Sequence, residues 1–319
     1  MSHAMIEAQD LSKDYGNGRG CRGITLQVGA GEAFGFLGPN GAGKSTFVKM
    51  LVGLIRPTGG RGMIMGEPIG SMEARRHIGY LPELYRYQEW LSGEEVVKLH
   101  AKLCGIDKAV AAKRIPELLD QVGLGLRGRD RVKNYSKGMQ QRLGLACALI
   151  NDPKLVFLDE PSSALDPIGR MEVRELLRML RKQGKTIFLN SHLLEDVEML
   201  CDRVALLNNG NILQTGAVSD VLQEKTRWHL RVGGLTPFAL AWLTDLTGMP
   251  ITTAALPLPD GSDSVWLEAE LEDDEQIGWL NSLIVEQGMT LYEVKKSKTR
   301  LDEWFMSAVS GLSHRGERA

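Results

Sequence analysis

Long apolar runs are missing from this chain. LGLACALI (143–150) and LTPFALAWL (235–243) fall far short of the roughly 18 residues a membrane span needs, and Asp245 breaks the second soon after it. No pore is therefore expected from this chain alone. A basic excess is missing too: 38 Lys and Arg stand against 40 Asp and Glu, a formal net charge of −2, so the electrostatic footprint of a nucleic-acid binder is not there and no nucleic acid is expected as partner. The four cysteines, Cys21, Cys104, Cys147 and Cys201, lie far apart without a CxxC or a Cys/His cluster. That pattern excludes a thiolate metal site and points to core thiols in a reducing compartment. MSHAM at the start lacks the basic and then apolar layout of a secretory signal, so the reading is cytoplasmic. Long repeats and low-complexity segments are absent as well.

What remains is an ordinary globular composition, 43% hydrophobic and 24% charged over 319 residues, enough at about 100 to 200 residues per domain for two domains. Strand-like segments recur with helical patterns between them: ITLQV (24–28), EAFGFLG (32–38), KLVFLD (154–159), KTIFLN (185–190) and RVALLNNGNILQTG (203–216). The last holds an Asn-Gly turn between apolar runs, a hairpin signal. Continuous apolar strands such as KLVFL imply cover on both faces, hence an α/β body. From about 80 to 150 the pattern turns helical, with Ser92 and Glu95 spaced as a capping box. A polar break at Glu224, Lys225 and Thr226 divides a body of residues 5–224 from an accessory domain of 226–319. The latter reads β-α-β-β-α-β, the ferredoxin-like order, with a last helix around TRLDEWFMSAV. Trp228, Trp242, Trp266, Trp279 and Trp304 are expected to pack in its core.

GPNGAGKST (38–46) follows an apolar strand and precedes the helical run FVKMLVGLI, the context in which G-x-x-x-x-G-K-[ST] becomes a phosphate site. Gly38, Gly41 and Gly43 let the backbone curl, with Pro39, Asn40 and Ala42 between them, so that N–H groups and a helix N-terminus meet phosphate oxygens. Lys44 adds positive charge near the β and γ phosphates, Ser45 is placed to ligate Mg²⁺, and Thr46 completes the motif. LVFLDEP (155–161) ends a buried strand in two carboxylates, an arrangement that wastes hydration energy unless a cation or proton source sits there. Asp159 is assigned to Mg²⁺ and Glu160 to the water that attacks the γ phosphate. His192 follows a strand parallel to that one and so reaches the same sheet edge, where ligands collect.

With GPNGAGKST, YSKGMQQR, LVFLDEP, SALD and the histidine of NSH in this order, residues 5 to about 220 resemble the nucleotide-binding subunits of ABC transporters. The resemblance implies a P-loop ABC ATPase cassette with a helical subdomain, an ATPase using ATP and Mg²⁺. It implies a head-to-tail homodimer that drives a separate integral membrane permease from the cytoplasmic, inner face of the cell membrane. By it Tyr15 stacks on adenine, and Tyr135, Ser136, Lys137, Gly138, Met139 and Gln140 form the signature that meets ATP held by the partner subunit. Ser163, Ala164, Leu165 and Asp166 form the loop between subunits. Lys137 and Met139 depart from the common LSGGQ, and Glu83 stands where many members have glutamine; both departures resemble the drug-resistance and sodium-efflux exporters. Glu83 is assigned to metal and coupling. A soluble ABC ATPase, as in cofactor assembly, is the alternative. The accessory domain is expected to stabilise the dimer or regulate it.

Overall fold

A computed structural model describes residues 4–16, 18–222, 226–259, 261–271, 274–297, 301 and 304–305. The chain divides between Val218 and Ser219 into two units, just ahead of the polar break at 224–226.

In the first unit, β1 (Ala4–Asp14), β2 (Gly20–Gly29), β4 (Gly59–Ile64) and β5 (Glu67–Pro68) form an antiparallel sheet ordered β2-β1-β4-β5. Of this sheet the sequence displays only ITLQV. β1 shifts register between Ala8 and Leu11, around Asp10 at φ +48°, which breaks its alternation. β4 is GGRGMI, whose glycines carry little strand propensity.

The second sheet runs β10-β9-β3-β8-β7-β6. Strands β3 (Ala33–Leu37), β6 (Ile78–Leu81), β7 (Leu155–Asp159), β8 (Thr186–Asn190) and β9 (Arg203–Asn208) are mutually parallel, while β10 (Asn211–Ala217) returns antiparallel. β3, β7 and β8 are buried at every position, as their unbroken apolar runs require. Asn209 and Gly210 at the β9–β10 turn both have positive φ, +47° and +81°, the geometry of a type I′ hairpin. Because the strands are parallel, the carboxyl ends of β3, β7 and β8 share one edge, with Asp159 in register with Asn190.

Helices α1 (Lys44–Leu51), α2 (Met72–Arg76), α6 (Pro167–Lys182) and α7 (Leu194–Leu200) accompany the sheets, and the short α8 (Val218–Leu222) spans the division between the units. The expected helical segment contains α3 (Gly93–Leu103), α4 (Lys108–Gln121) and α5 (Lys137–Leu149). Ser92 and Glu95 close the capping box at α3, satisfying two otherwise orphan N–H groups. Five of the seven phenylalanines gather in the core: Phe188 lies 5.3 to 6.3 Å, centroid to centroid, from Phe34, Phe36, Phe47 and Phe157. This cluster backs α1 and the strands that carry Asp159 and Asn190. Burying each ring contributes roughly 1.5–3 kcal/mol.

The second unit consists of β11 (Thr226–Gly233), α9 (Pro237–Thr247), β12 (Ile251–Ala254), β13 (Ser264–Leu271), α10 (Asp274–Glu286) and β14 (Thr290–Ser297), with the antiparallel sheet order β12-β13-β11-β14. This is the split β-α-β arrangement expected from its pattern. β12 ends before Pro257, which has no N–H for a ladder. Leu230, Val232, Leu243, Leu267, Leu280 and Ile284 form a separate core. Trp266 and Trp304 are buried and Trp228 and Trp242 pack on that core, but Trp279 is 45% exposed, so the expectation of core packing fails for it. The last expected helix lies outside the described residues apart from Leu301, Trp304 and Phe305. Among the described residues no helix is long and apolar enough to cross a membrane.

Candidate active site

β3 delivers the chain at Leu37 into the loop 38–43, which turns directly into α1. Gly43 caps α1 at φ +107°, and a Cβ there would lie 2.4 Å from Gly20 O, so only glycine permits this entry. The helix start has no side-chain cap, which leaves its N-terminal partial positive charge to an external anion. Lys44 folds back along the loop, its Nζ donating to Gly38 O at 2.7 Å and Pro39 O at 3.2 Å.

Opposite stand the carboxylates at the end of β7. Asp159, 2% exposed, accepts a hydrogen bond from Asn190 Nδ2 and shares a cavity with Ser45. Glu160, 8% exposed, sits at φ +56°, a left-handed conformation that costs a non-glycine residue on the order of 1–3 kcal/mol and persists only where its surroundings enforce it. One of its oxygens, Oε2, lies 2.7 Å from His192 Nδ1, while the other, Oε1, accepts the His192 backbone N–H at 2.9 Å. Burial pushes both carboxyl groups above their ordinary range, outweighing the hydrogen bonds of Asn190 to Asp159 and of His192 to Glu160. Burial likewise lowers Lys44, against the opposing pull of Glu160, Asp159 and Glu83.

Lys44, Glu83, Asp159, Glu160 and Asn190 line one cavity of about 800 Å³, together with Tyr15, Asn40, Gly41, Gly43, Ser45 and Thr46, whereas His192 stands behind Glu160 and does not line it. Gly38, Pro39 and Ala42 shape the loop instead: the first two hold Lys44, and Ala42 O accepts from Gly210 N at 2.9 Å. Tyr15 is half exposed, with Lys13 Nζ 5.5 Å from its ring centroid. Ser45 and the carboxylates of Asp159 and Glu83 line this cavity with hard oxygen donors of the kind Mg²⁺ takes, although no three acidic side chains converge on one point among the described residues.

The signature lies elsewhere. Ser136, Lys137, Gly138 and Met139 line a second cavity, of about 430 Å³, with Ala164, Leu165 and Asp166. Ser136 caps α5, accepting from Met139 N at 3.2 Å, and Asp166 caps α6, accepting from Gly169 N at 2.8 Å. A Cβ on Gly138 would come within 3.0 Å of Leu165, so the glycine lets the two loops close together. Leu165 is correspondingly buried, while Ser163 is exposed and bonds Glu160 O at 3.1 Å. Tyr135 corrects the expectation for the signature. It is 6% exposed and donates to Arg127 O at 2.8 Å, because it fills the packing beside Gly93 rather than facing outward. Gln140 Nε2 reaches back to Tyr135 O at 3.5 Å.

Four further residues join the site without having been singled out from sequence. Asn190 binds Asp159, Arg19 lines the phosphate-loop cavity, and Gln141 and Tyr85 reach Glu160 through its backbone. Asn190 did carry a signal, since a polar residue ends an otherwise apolar strand beside LVFLD. Gln141 looked like one more polar helix residue.

A phosphate loop opening a helix, two buried carboxylates at the end of a parallel strand of the same sheet and a histidine bound to the second define a P-loop nucleoside triphosphatase. The chain matches the ABC transporter family over residues 21–163. It is 39% identical to an uncharacterised ABC transporter ATP-binding protein of Nostoc sp. over 96% of this chain and 90% of that one. It is 34% identical to the bacitracin transport ATP-binding protein of Bacillus licheniformis over 96% and 98% of the two chains. A solved ATP-binding cassette, a dimer in a post-hydrolysis state with ADP and Pi, superposes with a TM-score of 0.62 at 25% identity, over 67% of this chain and 99% of that one. The chain belongs to the ABC transporter ATP-binding proteins. It is an ATP-binding and ATP-hydrolysing ABC subunit, as the resemblance implied.

Proposed function

We propose that two copies of this chain close head to tail on two ATP molecules, and that closing and reopening drive a separate integral membrane permease from the cytoplasmic face of the cell membrane. The observation that carries this reading is the separation of two half-sites. The phosphate-loop cavity and the signature cavity share no residue, and each is incomplete as an enclosure for a triphosphate. A two-fold dimer brings one half from each copy to each nucleotide. The cassette dimer among the structural relatives supports this arrangement, and relatives named for bacitracin transport and Nod factor export support export as its use.

In this reading Tyr15 stacks on the adenine, while loop N–H groups, Lys44 and Thr46 hold the phosphates. Ser45, Asp159 and Glu83 would hold Mg²⁺, which would offset charge on the β and γ phosphates. Glu160 takes a proton from the attacking water as its oxygen bonds the γ phosphorus and the bond to the β–γ bridging oxygen breaks. His192 holds both oxygens of that carboxylate in place. From the partner, the N-terminus of α5 brings Ser136, Lys137 and the N–H groups after Gly138 to the γ phosphate, with Asp166 in the loop between subunits. Glu83 adds a negative charge where many relatives carry a neutral amide.

The test is turnover per chain measured across a dilution series with Mg-ATP in excess. It should rise with protein concentration and then level off; a flat line from nanomolar to tens of micromolar would remove the dimer from the mechanism.

A further inference from the structure

We propose that Tyr85 and Gln141 are positioning residues that set the backbone of Glu160 from outside the nucleotide cavity. This rests on the reading of Glu160 as the base. Gln141, on the buried face of α5 and 2% exposed, donates from Nε2 to Glu160 O at 2.9 Å and accepts at Oε1 from the Tyr85 hydroxyl at 2.9 Å. The amide orientation follows from chemistry: a backbone carbonyl only accepts, so the NH₂ must face it and the carbonyl must face the tyrosine. Tyr85 is the donor, because the amide oxygen it faces can only accept.

What these bonds hold is a strained peptide. Glu160 sits at φ +56°, and its backbone is fixed from both sides: its N–H donates to Asn190 O at 2.8 Å, and its C=O receives Gln141 and Ser163. A left-handed non-glycine residue relaxes when those restraints go, and rotation of this peptide swings the carboxylate away from where His192 holds it. Small displacements of a reacting group have large rate effects, up to about 10²-fold per ångström. The relay begins at the surface. Tyr85 follows Leu84, which is 87% exposed, so the Tyr85–Gln141 pair joins a surface segment to the Glu160 backbone.

The experiment uses the full chain with Mg-ATP and the variants Tyr85→Phe, Gln141→Met, their double variant and Glu160→Gln. Expected for Gln141→Met is a kcat about tenfold lower, roughly the rate equivalent of one hydrogen bond. The Kd for a fluorescent ATP analogue should stay within about twofold of the parent, since neither residue lines the nucleotide cavity. Tyr85→Phe should lower kcat in the same direction, and the double variant should be no worse than Gln141→Met alone, as required of a chain acting in series. Tyr85→Phe deletes only a hydroxyl on a half-buried side chain, so it keeps the test alive should the buried substitution disturb folding. Parental kcat in both single variants, or losses that multiply in the double variant, would overturn the relay. Should Glu160→Gln itself hydrolyse ATP at the parental rate, the assignment of the base fails; if it is inactive while Gln141→Met is unimpaired, the relay alone fails.

Discussion

At the phosphate-loop half of the site Lys44, Asp159 and Glu160 are all under 9% exposed and hydrogen-bonded, whereas at the signature half Ser136, Lys137 and Asp166 are exposed, and Ser136 and Asp166 cap their own helices. The first half is expensive to fold. Its carboxylates are held above their ordinary range by burial and Glu160 by a strained backbone, so stability is given up to preorganise charge. The second half costs almost nothing, because a capped helix N-terminus is stable in water and becomes a phosphate ligand only when a partner presents one. On the proposed reading, the contrast separates what one chain would do, bind nucleotide, from what would need two.

The largest effect should come from the expensive half. Glu160→Gln keeps the size and the left-handed backbone but removes the proton acceptor, and should lower kcat by about 10²–10⁴ while ATP binding, read by a fluorescent analogue, is retained. Loss of binding would instead make Glu160 part of the nucleotide cradle. Next in size is the pH dependence. Burial raises the Glu160 carboxyl, so the charged base is lost as pH falls through a pKa above the usual glutamate range of about 4.3. The acid limb of kcat should therefore lie above that range; a limb at or below it would contradict the buried base. Smallest is Glu83→Gln, at an exposed position where solvent screens charge. It should raise the Mg²⁺ concentration for half-maximal rate by less than about fivefold and leave kcat nearly unchanged. No change in Mg²⁺ dependence would detach Glu83 from the metal.

The same contrast explains what could be read from the sequence. The phosphate loop, LVFLDEP and the hairpin at Asn209-Gly210 were legible because each depends on local chemistry: glycines at a tight entry, acids ending an apolar strand, two adjacent residues at positive φ. The second unit was legible through alternation, since its strands have one face on a core. The first antiparallel sheet was not, because a bulge at Asp10 and the glycines of β4 hide the period. Within the site, Asn190 and Gln141 were hidden for another reason. Asn190 acts because β8 lies beside β7, which its polar place at the end of an apolar strand only hinted at, and Gln141 acts because its side chain reaches the Glu160 backbone, which leaves no mark in the local sequence. Tyr135 misled in the opposite direction: adjacent to the signature in sequence, it belongs to the packing beside Gly93.

The central claim, that each active site is assembled from two copies, is tested most directly by mixing two inactive chains. Lys44→Ala spoils the phosphate-loop half, and Ser136→Arg places a bulky side chain where the signature must meet the partner's nucleotide. In a head-to-tail pair of these variants both defects fall in one site and leave the other intact. Each variant alone should be inactive, and an equimolar mixture should recover about a quarter of the parental rate per chain if pairing is random and the two sites of a symmetric dimer act independently. A mixture as inactive as its components would contradict the account.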